Sequence, residues 1–94
     1  MEITQHQEDS KGYFKAELNG EEAGRMTYTM AGNSLMIIDH TEVYPGYSGK
    51  NAGKLMVMKA VDFAREHRIK VIPLCPFAKS VFDRNNDIRD VLNT

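Results

Sequence analysis

Polar and apolar residues alternate through the first third of the chain. Residues 12–18 (Gly12-Tyr13-Phe14-Lys15-Ala16-Glu17-Leu18) read as one strand and residues 22–30 as the next. A period of two sets Met26, Tyr28 and Met30 on one face and Arg25, Thr27 and Thr29 on the other. Between the strands lies Asn19-Gly20, a strong hairpin signal, because a type I′ turn needs positive φ at both central positions. Ala31-Gly32-Asn33-Ser34 is a second turn, and the apolar, β-branched run Leu35–Val43 is a third long strand. Strict alternation there pairs His40 with Glu42 on one face and Asp39 with Thr41 on the other. Residues 3–6 read as a short edge strand or a disordered start. The first half is thus an antiparallel meander.

The period then changes. Over residues 53–68, Met56, Val57, Ala60, Val61, Phe63 and Ala64 form one broad helical face, with Lys59, Asp62, Arg65 and Glu66 opposite. Leu55 and Met58 fall on the polar side. Residues 70–74 are a buried-type strand ended by Pro73 and Pro76. Because a helix precedes it, this strand is expected to run parallel to Leu35–Val43. Pro76 suits the first turn of a helix over residues 76–83. Asn86 or Asp87 can cap a last short helix over residues 88–92. The predicted fold class is α+β: an antiparallel β-meander, a crossover helix, a parallel strand and a C-terminal helix.

Composition narrows the picture. The chain has 94 residues, one domain's worth spanning 1–94, with room for a modest core. A formal charge of −1 gives no sign of direct nucleic-acid binding. One cysteine cannot form an internal disulfide, which fits a reducing cytoplasm. No basic, apolar leader stands at the N-terminus, and no apolar run is long enough to span a membrane. No metal-ligand spacing is present: Cys75 is alone, and His6, His40 and His67 are scattered.

The most informative stretch is Val43-Tyr44-Pro45-Gly46-Tyr47-Ser48-Gly49-Lys50-Asn51-Ala52-Gly53-Lys54-Leu55. A strand, a Gly-rich turn and a helix start together make an anion site. Backbone N–H groups point outward without a Cβ in the way, and the helix end adds about half a positive charge. A pyrophosphate suits it. There is no G-x-x-x-x-G-K-[ST] and no G-x-G-x-x-G, so it is neither a P-loop nor a dinucleotide fingerprint. It resembles the acetyl-CoA loop of the GNAT superfamily of N-acetyltransferases. That loop reads V-x-P, a short spacer and [QR]-x-x-G-x-[GA]. Val43, Pro45, Gly49, Lys50 and Gly53 match, while Ser48 and Asn51 depart. Downstream, Cys75-Pro76-Phe77-Ala78-Lys79-Ser80-Val81-Phe82 falls in the family's N-x-x-A-x-x-x-Y frame, with Cys75 in the Asn place and Phe82 in the Tyr place. The whole looks most like a small, single-domain GNAT-like subgroup without the usual N-terminal helical segment.

The resemblance implies acetyl-CoA as acyl donor and an amine as acceptor, for which an open acceptor side suits an amine on another protein. It implies cofactor contacts from Thr41, Val43, Ser48, Gly49, Lys50, Asn51, Ala52, Gly53 and Lys54. Lys54 and Lys79 are candidates for the adenosine 3′-phosphate. Cys75, Glu42 and His40 are the catalytic candidates. Cys75 can protonate the departing thiolate or accept the acetyl group by thiol exchange, or it is a small core residue. Glu42 is a candidate base and His40 a substrate-positioning group, or both are ordinary solvent-facing strand residues. Phe82, lacking a hydroxyl, reads as a core aromatic. Tyr28, Tyr44 and Tyr47 are expected on the open side of the cleft, and Asp83-Arg84-Asn85-Asn86-Asp87 as a solvated turn. Three functions remain open: an acetyltransferase, a module that only holds acetyl-CoA or CoA, and an interaction domain that has lost the cofactor.

Overall fold

The computed structural model describes residues 1–93. Its strands are β1 (Glu2–Glu8), β2 (Lys11–Leu18), β3 (Glu21–Ala31), β4 (Leu35–Val43) and β5 (Lys70–Pro73). They form one sheet in the order β1-β2-β3-β4-β5. The first four are antiparallel neighbours, and β5 runs parallel to β4 from Leu35↔Lys70 to Ile38↔Pro73. Helix α1 (Ala52–His67) makes the crossover and α2 (Pro76–Arg84) follows β5. The expected last short helix is a 3-10 helix, Asn86–Val91. Residues 3–6 belong to an ordered seven-residue edge strand, which settles the two readings of the chain start.

The hairpin between β2 and β3 turns at Asn19 (φ 54) and Gly20 (φ 82), the doubly positive pair that a type I′ turn requires. One face of the sheet is covered. Phe14, Met26, Tyr28, Met36 and Ile38 point from it onto Met56, Val57, Ala60, Val61 and Ala64 of α1, all buried in one cluster. Each large side chain in that layer contributes about 1.5–3 kcal/mol of burial. Phe63, expected on this face, is only partly buried and packs its ring 4.2 Å from His67. Leu55 is exposed, as its wheel position requires.

Two β-bulges alter the simple alternation. Thr27 pairs with His40 and Tyr28 with Ile38, so Asp39 is the extra residue of β4. It turns to the uncovered face, where its carboxylate accepts from the Thr29 hydroxyl at 2.8 Å. Asp39 therefore shares a face with His40 and not with Thr41, contrary to strict alternation. The second bulge leaves Ala23 unpaired between Ala16↔Gly24 and Glu17↔Glu22. Tyr28 is also corrected: it is buried in the covered layer, not on the open side of a cleft. Its hydroxyl donates to Gln7 Oε1 and accepts from Gln5 Nε2, both at 2.8 Å, which fastens the edge strand β1.

Candidate functional site

The anion loop folds through left-handed positions at Gly46 (φ 93), Gly49 (φ 81) and Asn51 (φ 63). Asn51 is the N-cap of α1, and asparagine tolerates this backbone better than most residues. Its side chain makes no capping hydrogen bond, and no acidic residue stands in the first turn. The Leu55 N–H donates to the Asn51 carbonyl at 2.9 Å, which closes the first helical turn. The N–H groups of Ala52, Gly53 and Lys54 precede that bond and remain for a ligand.

Beside this helix end opens a cleft of about 570 Å³. Val43, Tyr47, Ser48, Gly49 and residues 51–54 line one side; Phe77, Val81, Arg84 and Asn85 of α2 and its cap line the other. Gly53 is needed here for close approach. A Cβ on it would lie 2.6 Å from the Phe77 ring, so the two helix starts meet at that point. Lys54 and Arg84 bring positive charge, and no carboxylate is among the described lining residues. Among the described residues Arg84 forms no ion pair.

Arg84 and Asn85 were expected only in a solvated turn. The signal lay in the spacing, since residues 77, 81, 84 and 85 share one helical face. Lys50 is exposed and does not line the cleft, and Lys79 pairs with Asp83 at 3.2 Å away from it.

The β4–β5 ladder ends at Ile38↔Pro73. The N–H groups of Leu74 and Cys75 both donate to the Ile38 carbonyl, at 3.1 and 3.3 Å. The chain then turns into α2, while β4 runs on to Val43. Cys75 is the N-cap of α2 and is 7% exposed. Its sulfur lies 3.5 Å from the Thr41 hydroxyl oxygen. Burial pushes this thiol up. The hydrogen bond it shares with the Thr41 hydroxyl, and those from the backbone N–H groups of Ala78, Phe77 and Thr41, outweigh it, and the net shift is downward. Phe82 is buried in the core.

The three catalytic candidates are not gathered in one place. Cys75 and Thr41 lie on the covered side of β4. His40 and Glu42 are exposed on the other face, opposite Thr27 and Arg25. Tyr44 and Tyr47 stand at the loop, where their hydroxyls donate to Glu22 and Glu21. No group of metal-binding side chains occurs among the described residues, and none of their helices is long and apolar enough to cross a membrane.

The five-stranded sheet, in which β4 runs on past the end of its parallel neighbour β5, thus stands above an uncapped helix start. The chain belongs to the GCN5-related N-acetyltransferase family, whose family model matches residues 13–91. A GCN5-like protein of Staphylococcus aureus is similar to it at 32% identity, over 98% of this chain and 87% of that one, with a TM-score of 0.70. The ribosomal-protein-alanine N-acetyltransferase of Brucella melitensis shares the fold at 17% identity and TM-score 0.71. There the match covers 82% of this chain and 62% of that longer one. A Mycobacterium tuberculosis protein solved with CoA matches at 21% identity and TM-score 0.60, over 85% and 64% of the two chains. No curated protein matches the chain in sequence. Family membership supports acetyl-CoA-dependent acetyl transfer as the class of reaction.

Proposed function

We propose that residues 1–94 act as one domain that binds acetyl-CoA in the α1–α2 cleft and transfers the acetyl group to an amine, with a protein amine as the favoured acceptor. The observation that carries this reading is the uncapped α1 N-terminus facing a carboxylate-free cleft that holds Lys54 and Arg84. Acetyl-CoA supplies the thioester. The N–H groups at residues 52–54, with Gly49 and Asn51 shaping the turn, hold its pyrophosphate. Ser48 adds a hydroxyl at the rim, and Lys54 and Arg84 meet the remaining phosphate charge. Backbone N–H groups of Thr41 to Val43 polarise the acetyl carbonyl.

Cys75 is the reacting side chain on the thioester side. Its sulfur is held toward the thiolate by Thr41 and the α2 N-terminus, which suits a nucleophile better than an acid. In that step the sulfur takes the acetyl group and the CoA thiolate leaves. An amine then displaces the Cys75 sulfur. The amine reaches Cys75 from the open face, where β4 runs on past the end of β5; Glu42 on that face takes its proton through water, and His40 beside it positions the acceptor. No helix covers that face among the described residues, which suits an acceptor too large for a closed pocket. A free, reactive thiol also fits a reducing compartment such as the cytoplasm.

A module that holds acetyl-CoA without transfer is the second reading. It is favoured by Phe82, which is buried and has no proton to donate. Incubation with acetyl-CoA and lysine-bearing peptides separates the two. Transfer predicts CoA release that depends on the amine and acetylated product by mass. Binding without release favours the holding module.

A further inference from the structure

The loop between β4 and α1 has left-handed backbone at Gly46, Gly49 and Asn51. Glycines hold such a shape poorly by themselves, because they have the most conformational freedom to lose. The entry to the loop is nevertheless braced. Tyr44-Pro45-Gly46-Tyr47 closes through Tyr47 N–H to Tyr44 O at 3.1 Å, with Pro45 and Gly46 (φ 93) in the places a type II turn requires. The Tyr44 N–H donates to Ala23 O at 2.9 Å.

Both corners of this turn are tyrosines, and both reach the start of β3. The Tyr44 hydroxyl donates to Glu22 Oε2 at 2.6 Å and the Tyr47 hydroxyl to Glu21 Oε1 at 2.8 Å. Glu22 is itself fixed by Arg25, at 2.8 Å from Nη2 to Oε1 and 3.0 Å from Nε to Oε2. The guanidinium of Arg25 in turn lies 4.0 Å over the Tyr13 ring. The bonds to the carboxylates push both phenols above their usual range, so both stay protonated as donors at neutral pH. Two carboxylates next to a polyanion loop are electrostatically adverse. Their engagement with the two corner tyrosines gives them a mechanical role instead.

We propose that Tyr44 and Tyr47 are positioning residues that clamp the entry turn to Glu22 and Glu21, holding Tyr47 as a fixed wall of the cleft. This rests on the reading of the cleft as the acetyl-CoA site. The clamp prepares the cradle before the ligand arrives, so its loss weakens acetyl-CoA binding and leaves the chemical step alone.

The test compares acetyl-CoA affinity by calorimetry, and KM and kcat where transfer is measured, for the intact chain and its variants. Tyr47→Phe and Tyr44→Phe are each expected to weaken acetyl-CoA binding about 3- to 10-fold, and the double variant about 30-fold, from the usual worth of single hydrogen bonds. KM rises, kcat stays, and the melting temperature of Tyr47→Phe stays near wild type. The sign at Glu21 is decisive. Glu21→Gln keeps an acceptor for the hydroxyl and retains binding, whereas Glu21→Ala weakens it. If the carboxylate acted by charge alone, both would strengthen binding. Equal affinity in wild type and the two Phe variants, or tighter binding by Glu21→Ala, overturns the clamp alone. A wild-type chain that binds no acetyl-CoA overturns the underlying reading and the clamp with it.

Discussion

The two sides of β4 are built on different principles. On the covered side, the cleft is made mostly of backbone: a left-handed cap, three free N–H groups and a glycine that lets α2 approach. Side chains add charge of one sign, from Lys54 and Arg84. The open side is a concave sheet surface of side chains, with Asp39 and Glu42 against Arg25 and Lys11, and His40 among them. A backbone cradle fits a ligand whose shape never changes, such as a CoA pyrophosphate. A side-chain surface fits a variable acceptor. On the proposed reading, the donor half of the reaction is written in loop geometry and the acceptor half in replaceable side chains.

If the two sides do separate jobs, substitutions should separate them too. Cys75→Ala stands at the junction and is expected to give the largest effect, a loss of about 100-fold or more in kcat. Its acetyl-CoA affinity should stay within about twofold, because the sulfur holds none of the phosphates. An unchanged rate at saturating acetyl-CoA would remove Cys75 from the mechanism. Paired Lys54→Ala and Arg84→Ala changes should weaken acetyl-CoA binding about 30-fold, and raising the salt should shrink that difference. The same pair should leave acceptor saturation untouched. Glu42→Gln is the mirror image: about a tenfold slower transfer at neutral pH, with acetyl-CoA titrations matching wild type. Should Glu42→Gln instead alter the acetyl-CoA titration, the division between the faces would fail.

A smaller effect reports on the thiol. The structure lowers the Cys75 thiol, so alkylation by iodoacetamide should reach half its limiting rate below the pH of an ordinary cysteine. Thr41→Val should move that midpoint up. The sign for stability follows. Between the folded and unfolded midpoints the unfolded chain binds more protons, so stability rises with pH through that window. The contribution is complete above the unfolded value and lost as pH falls through the folded one. Cys75→Ala should flatten that slope in denaturant titrations at graded pH.

Much of the scaffold was legible because its signals are local. Asn19-Gly20, the change of period near residue 52 and Pro76 each fix an element from a few neighbours. Helix α1 begins at Ala52 and α2 ends at Arg84, each one residue beyond the predicted bound. The bulge at Asp39 was not legible, because an extra residue depends on how two distant strands register. Alternation set Tyr28 correctly on the face of Met26; the expectation that it lines a cleft failed, because its ring lies over Gly12 of β2 and its hydroxyl finds Gln5 and Gln7 on the strand beyond, a contact no local pattern shows. In the site, the loop and its glycines could be read directly. Arg84 was harder to read: its flanking Asp83 and Asn85 suggest a turn, its spacing from Phe77 and Val81 was the one local signal, and the packing of α2 against α1 aims that face at the cleft.

The central claim is that the α1 N-terminus and its loop form an acetyl-CoA cradle. The most direct measurement is a titration of isotope-labelled protein with acetyl-CoA, followed through backbone amide shifts. The account predicts saturable shifts centred on residues 46–55, with Thr41, Val43, Cys75 and Arg84 moving along the same isotherm and the distant edge strand β1 silent. No shift at millimolar acetyl-CoA, or shifts confined to the open face around His40, would contradict it.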